Sequence, residues 1–111
     1  MPYLGVLKRH RPDPFWLTHS TDGWSLALDY KVTPGTRDDL WRHCAAMTRV
    51  VLAGKGKFYF AKDLVIGQQD MVTMFPPEKL QAFLKLKREL DPQMLLQTDL
   101  SRRVMGQLLA T

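Results

Sequence analysis

Hydrophobic and polar positions change rhythm along this chain, and each change marks an element. Tyr3 to His10 runs apolar and then basic and stops at Arg11-Pro12-Asp13-Pro14, where two prolines forbid a continued ladder; it reads as a strand. Phe15 to Gly23 is a connection with a Thr-Asp-Gly turn. Beyond it Trp24, Leu26, Leu28, Tyr30 and Val32 alternate with Ser25, Ala27, Asp29 and Lys31, the period of a strand with one packed face and one small, polar face. Pro34-Gly35 ends that strand. Thr36 with Asp39 three residues on resembles a capping box, and Leu40, Trp41, Cys44, Ala45, Met47, Thr48, Val51 and Leu52 recur at helical spacing as a broad apolar stripe. Gly54 and Gly56 stop the helix, and Phe58 to Phe60 forms a short aromatic strand.

Past Lys62-Asp63 the rhythm is helical only. Gly67 to Phe75 is expected to form a short helix, and Pro76-Pro77 to open a longer one with a proline in its first turn. Leu80, Phe83, Leu84 and Leu90 give that helix a seam before Asp91-Pro92 closes it. Thr98 or Asp99 caps a last helix carrying Leu100, Val104 and Leu108 in line. The expected class is α+β: an antiparallel sheet with a covering helix, in the order strand, strand, helix, strand, followed by a C-terminal helical segment. The helix is expected on the Trp24, Leu26 and Leu28 face, leaving Ser25, Ala27 and Asp29 to point at something else. Three strands are few for an independent sheet, so further strands are expected from a longer polypeptide or a second copy.

With 111 residues and 45% hydrophobic content, the chain has the size and balance of one folded domain. No run approaches the roughly twenty apolar residues that cross a bilayer, and the start lacks a secretory pattern; a cytoplasmic location is expected. The net charge of +5 is spread thinly, with Lys85, Lys87 and Arg88 beside Glu89 and Asp91. Without a base-reading motif or aromatic platform, a nucleic-acid partner is not expected; mild positive potential also suits an anionic ligand.

The lone Cys44 cannot form an internal disulfide, and its place on the apolar side of a helix suits a small buried hydrophobe. His10, His19 and His43 show no metal-ligand spacing. Ser20, Ser25 and Ser101 have no histidine at a sequence position that marks a nucleophile and base. Gly54-Lys55-Gly56-Lys57 reads as a helix stop and not a phosphate loop, because no helix follows it. What remains is a convergence of polar groups: Lys8 from the first strand, Ser25, Ala27 and Asp29 from the second, and Lys62 after the third. If Val6 and Lys8 share a face with Ser25 and Ala27, two ammonium groups look onto a shallow floor where a planar ring could lie. The plainer alternative pairs Lys8 and Lys62 with Asp29 and Asp63 as surface ion pairs worth less than about 1 kcal/mol.

Five runs, Gly23-Trp24-Ser25-Leu26-Ala27-Leu28-Asp29-Tyr30, Gly56-Lys57-Phe58-Tyr59-Phe60-Ala61-Lys62-Asp63, Met74-Phe75-Pro76, Arg88-Glu89-Leu90-Asp91-Pro92 and Thr98-Asp99-Leu100-Ser101-Arg102-Arg103, occur in an order and spacing similar to the C-terminal quarter of FAD-linked oxidoreductases of the vanillyl-alcohol oxidase type. Within that superfamily the chain most resembles the decaprenylphosphoryl-ribose oxidase-like bacterial proteins, over nearly its whole length. The resemblance implies that residues 1–60 are the last part of a substrate domain and 61–111 a helical segment that packs on a flavin domain. It places Lys62 and Ala61 beside the flavin and gives Lys62 the catalytic role, a cation that steadies charge on the cofactor or orients a substrate hydroxyl. Lys8 matches the family's lysine on the preceding strand, and Ser25 and Ala27 match positions that line the substrate pocket; Val6, if it shares their face, is expected to bind substrate with them. Where the family commonly has asparagine and cysteine this chain has Ser25 and Ala27, so its small-molecule substrate need not be a decaprenylphosphoryl sugar.

The implied activity is oxidation of an alcohol carbon of a sugar-like or polyol substrate by hydride transfer to flavin. The implied cofactor is FAD, held mainly by an N-terminal flavin domain or separate chain, without which the chain is expected to be inactive. The alternative is a small non-catalytic α+β binding or assembly module that forms a homo-oligomer through the exposed sheet face.

Overall fold

A computed structural model describes residues 1–63 and 65–111. Two antiparallel strands, β1 (Leu4–His10) and β2 (Gly23–Asp29), precede four helices among the described residues: α1 (Arg37–Ala53), α2 (Gln68–Met74), α3 (Pro77–Leu90) and α4 (Asp99–Ala110). The class is α+β, with an antiparallel sheet first and a helical segment at the end.

The register of the hairpin sets its chemistry. Val6 lies opposite Ala27, Leu7 opposite Leu26, Lys8 opposite Ser25 and His10 opposite Gly23. Residues directly opposite in an antiparallel pair share a face, so one side carries Val6, Lys8, His10, Ser25 and Ala27 and the other Leu7, Trp24, Leu26 and Leu28. The apolar side is bare: Leu7 is 63% exposed, Trp24 66% and Leu26 61%. This corrects the expectation of a covering helix. α1 packs on α2 instead, and on the polar side, where Ser25 and Ala27 are half-buried, the connection brings the His19 ring against His10. Alternation showed which face is apolar, but not which segment would reach it.

The third expected strand is also absent. Gly56–Phe60 pairs with no strand among the described residues, yet it keeps a period of two: Phe58 and Phe60 pack on the helical core while Tyr59 faces outward at 52% exposure. A β-like alternation arises here because both phenylalanines have helices to bury against, with the Phe60 ring 5.9 Å from that of Phe75.

α1 keeps its stripe on one side, with Leu40, Trp41, Cys44, Met47, Val51 and Leu52 half-buried and Thr48 buried; Ala45 is exposed. Thr36 is its N-cap but makes no capping bond. Its hydroxyl turns to that of Thr33 at 2.8 Å, and Asp39 pairs with Arg42. At the other end the amides of Gly54, Lys55 and Gly56 donate to the carbonyls of Val50, Leu52 and Val51. A Cβ on Gly56 would stand 2.6 Å from a Val51 methyl, so this close return requires glycine.

α2 begins where the Asp70 carboxylate accepts the Gly67 amide at 2.8 Å. α3 opens with Pro77 in its first turn and closes at Asp91, whose carboxylate accepts the amides of Leu95 and Leu96 at 2.8 and 2.9 Å and pairs with Lys87. Thr98 and Ser101 cap α4 reciprocally: the Ser101 amide donates to the Thr98 hydroxyl at 3.0 Å, and the Thr98 amide to the Ser101 hydroxyl at 2.8 Å. These helices enclose the core of Ile66, Met71, Met74, Phe75, Leu80, Leu84 and Val104. The hairpin stands off it. The radius of gyration is 15.2 Å, against about 13 Å for a compact domain of this length.

Candidate functional site

Three segments meet around the polar side of the hairpin. β1 and β2 supply its floor, and the hairpin register brings Val6, Lys8, Ser25 and Ala27 onto one face. Lys8 is exposed, while Ser25 and Ala27 are half-buried. The side chains at 25 and 27 are small, and the Lys8 cation stands on the strand beside them.

At the end of the floor sits an unexpected group. His10 Nε2 lies 2.7 Å from Ser25 Oγ. The ring of His19, from the connection, meets His10 edge to face with centroids 5.1 Å apart, and the Tyr59 ring lies 4.6 Å beyond it, tilted by 39°. Ser25 therefore does have a histidine partner, contrary to the reading of the chain alone. The pair is fifteen residues apart and becomes visible only when β1 and β2 are set in register. Burial first, and the charge of His10 second, hold the His19 imidazole below its ordinary range, while Asp13 pulls the other way. Asp13 is in turn held low, chiefly by the Thr18 hydroxyl that donates to it at 2.7 Å and also by the Phe15 amide.

Lys62 belongs to a different element, the turn that follows the aromatic segment. The amides of Lys62 and Asp63 both donate to the Tyr59 carbonyl, at 3.0 and 3.2 Å. Ala61 and Lys62 are exposed on that turn, and contacts from Ser25 reach it through His10, His19 and Tyr59. The turn is fixed from below. Asp63, its side chain 5% exposed, accepts the amides of Val65 and Ile66 and pairs with Arg103 of α4 at 3.3 Å. Arg103 also donates to the Asp63 carbonyl at 3.1 Å, so one guanidinium holds both the side chain and the main chain next to Lys62. Asp63 thus faces the core and is no partner for Lys62, which removes one of the surface pairs that spacing alone allowed.

Beside His19 an open groove of about 590 Å³ is lined by Asp13, Pro14, Phe15, Trp16, Leu17, Thr18 and Phe83. Trp16 and Phe15 leave it broadly apolar. Cys44 is half-buried, and burial, reinforced by the negative charge of Asp63, pushes its thiol up and away from reactivity. Among the described residues no group of three or more His, Cys, Asp or Glu could hold a metal ion, and no helix is long and apolar enough to cross a membrane.

Chemically, this arrangement offers small side chains beside the one exposed ammonium of Lys8 and, at one end, a hydroxyl bonded to an imidazole. That set can orient a hydroxylated ligand and exchange a proton with it. No family model matches the chain.

Proposed function

We propose that the chain is the C-terminal part of an FAD-dependent oxidoreductase acting on an alcohol carbon of a sugar-like or polyol substrate. The observation that carries this reading is the hairpin register, which puts Val6 and Lys8 on the face that also holds Ser25 and Ala27. Lys8, Ser25 and Ala27 are positions that the family resemblance assigns to the site, and Val6 shares their face.

The residues present fit one end of such a cofactor. A floor of small side chains accepts a planar ring, and a lysine ammonium is a pure donor suited to negative charge. They do not fit its pyrophosphate end. The amides of Gly54, Lys55 and Gly56 are already spent on α1 carbonyls, which leaves none of them for a phosphate. FAD, when bound, supplies the hydride acceptor at its N5 position; its nucleotide half would be held by a flavin domain. The bare side of Leu7, Trp24 and Leu26 supports this division, because an apolar sheet face of that kind calls for a cover. In this reading Lys62 holds its cation at the flavin edge beside Ala61, Lys8 orients a substrate hydroxyl, and Ser25 and Ala27 line the substrate side.

The test joins the chain to a flavin domain of the family and measures alcohol oxidation. Lys62→Ala is expected to lower turnover by about a hundredfold or more, the scale of losing one charge-stabilising donor, with the helical circular dichroism unchanged. Near-normal turnover removes Lys62 from the role. The chain alone is expected to take up little FAD. Stoichiometric binding by the isolated chain would contradict the division of the cofactor site, and a dimer indifferent to changes at Lys62 would favour the assembly module.

A further inference from the structure

Oxidising an alcohol releases a proton as well as a hydride, and neither lysine of the proposed site can take it, because an ammonium carries three donors and no acceptor. We infer that Ser25 accepts the substrate's hydroxyl proton and passes its own to His10. The inference rests on the flavoenzyme reading for its substrate, but its geometry belongs to the hairpin alone. Ser25 lies on the proposed floor, directly opposite Lys8, and its Oγ is 2.7 Å from His10 Nε2. That is within reach for proton transfer without rearrangement. Imidazole is also the side chain whose ordinary titration range suits taking and releasing a proton near neutrality.

The step balances. With FAD bound as the two-electron acceptor, the substrate C–H bond would break with its electron pair leaving as hydride, while the C–O bond would become a carbonyl. The O–H proton goes to Ser25 Oγ as the serine proton goes to Nε2, and the resulting imidazolium later releases its proton to solvent. The groups around His10 are Lys8 on the same strand face, Arg9, whose guanidinium bonds the His10 carbonyl and Asp22, and His19, with Asp13 and Tyr59 behind it. Burial disfavours charge on His19, the ring packed edge to face against His10.

For this relay Nε2 must be the acceptor, so the neutral His10 ring must carry its proton on Nδ1. Nitrogen NMR of the intact chain reads that tautomer directly. A dominant Nδ1–H form that weakens in Ser25→Ala is the expected result, and a proton on Nε2 in the unaltered chain overturns the relay whatever becomes of the flavin reading. The second measurement uses the chain joined to a flavin domain. His10→Gln is expected to lower kcat by about a hundredfold, the usual scale of general-base catalysis, and to erase the acid limb of the pH profile. Lys62→Ala should lower the rate alike at every pH. A His10→Gln enzyme with the unaltered rate and profile overturns the relay and leaves the flavin reading standing. Absence of both flavin binding and alcohol oxidation in the unaltered assembly overturns that reading, and the relay with it.

Discussion

The hairpin and the helical segment use apolar residues in opposite ways. From Phe58 onward, large side chains converge: Ile66, Met71, Leu84 and Val104 are fully buried among residues from three helices and the segment that leads into them. In the hairpin, Leu7, Trp24 and Leu26 form an equally apolar side that is left largely exposed. Hydrophobic burial is the dominant favourable contribution to folding, so the helical half carries its own stability. The hairpin is held by backbone pairing, the His10, His19 and Tyr59 contacts, and its short links. One half behaves as a scaffold and the other as a wall awaiting its opposite.

Core truncation gives the largest effect that separates the halves. Leu84→Ala should lower the unfolding free energy by about 3 kcal/mol, the middle of the range for a buried leucine. Leu26→Ala should stay within about 0.5 kcal/mol, as for exposed positions. Urea unfolding followed by far-ultraviolet circular dichroism measures both. Equal costs would mean that the hairpin's apolar side is packed in solution, and the contrast between the halves would disappear.

Arg103→Ala comes next, because it tests how firmly the scaffold holds the turn that carries Lys62. The substitution strips Asp63 of its charge partner and frees the main chain beside Lys62. Leaving a buried, hydrogen-bonded carboxylate without its cation costs about 2 kcal/mol. Arg103→Lys should recover part of that, since an ammonium cannot reproduce the fork that reaches both the Asp63 carboxylate and its carbonyl. Hydrogen exchange at the Val65 and Ile66 amides should accelerate in step. Unchanged exchange would show that the turn holds itself without α4.

Much of this contrast was legible in the chain, and the illegible part has a physical cause. The stripe of α1, the proline start of α3 and the Thr98 cap of α4 are local signals, and each is found where spacing put it. The α+β class followed from the switch between periods. Lost were the features set by distant partners. Phe58 and Phe60 alternate with Tyr59 as a strand would, but their partners are helices. The face of Trp24 and Leu26 reads as a core face, because periodicity reports polarity and not cover. Val6, Lys8, Ser25 and Ala27 could be grouped by assuming a hairpin register, yet His10 went unnoticed although the same register brings it to Ser25. A systematic listing of residues at even offsets on both strands would have found it.

The smallest effect is a separation by pH. His19 lies in the hairpin's connection and its folded-state value is depressed below 6.5. A depressed imidazole contributes stability that is complete above the unfolded value and lost as pH falls through the folded one. Asp13 and Asp91 are depressed below 3.8, Asp91 chiefly by the hydrogen bond from the Lys87 ammonium and then by the Leu96 amide, so their contributions persist until far more acid conditions. From Phe58 onward the chain has no histidine at all. Between roughly pH 6 and 4, bracketed by ordinary imidazole and carboxylate values, the hairpin should therefore loosen while the helical half holds. Trp16 and Trp24 lie in the hairpin and its connection, so with Trp41 of α1 replaced by phenylalanine the fluorescence reports the hairpin while circular dichroism reports mainly the helices. Fluorescence should change in that window with the dichroism constant, and His19→Gln should remove the change. Coincident transitions at a single acid midpoint would make the chain one cooperative unit, with the wall as firmly held as its scaffold.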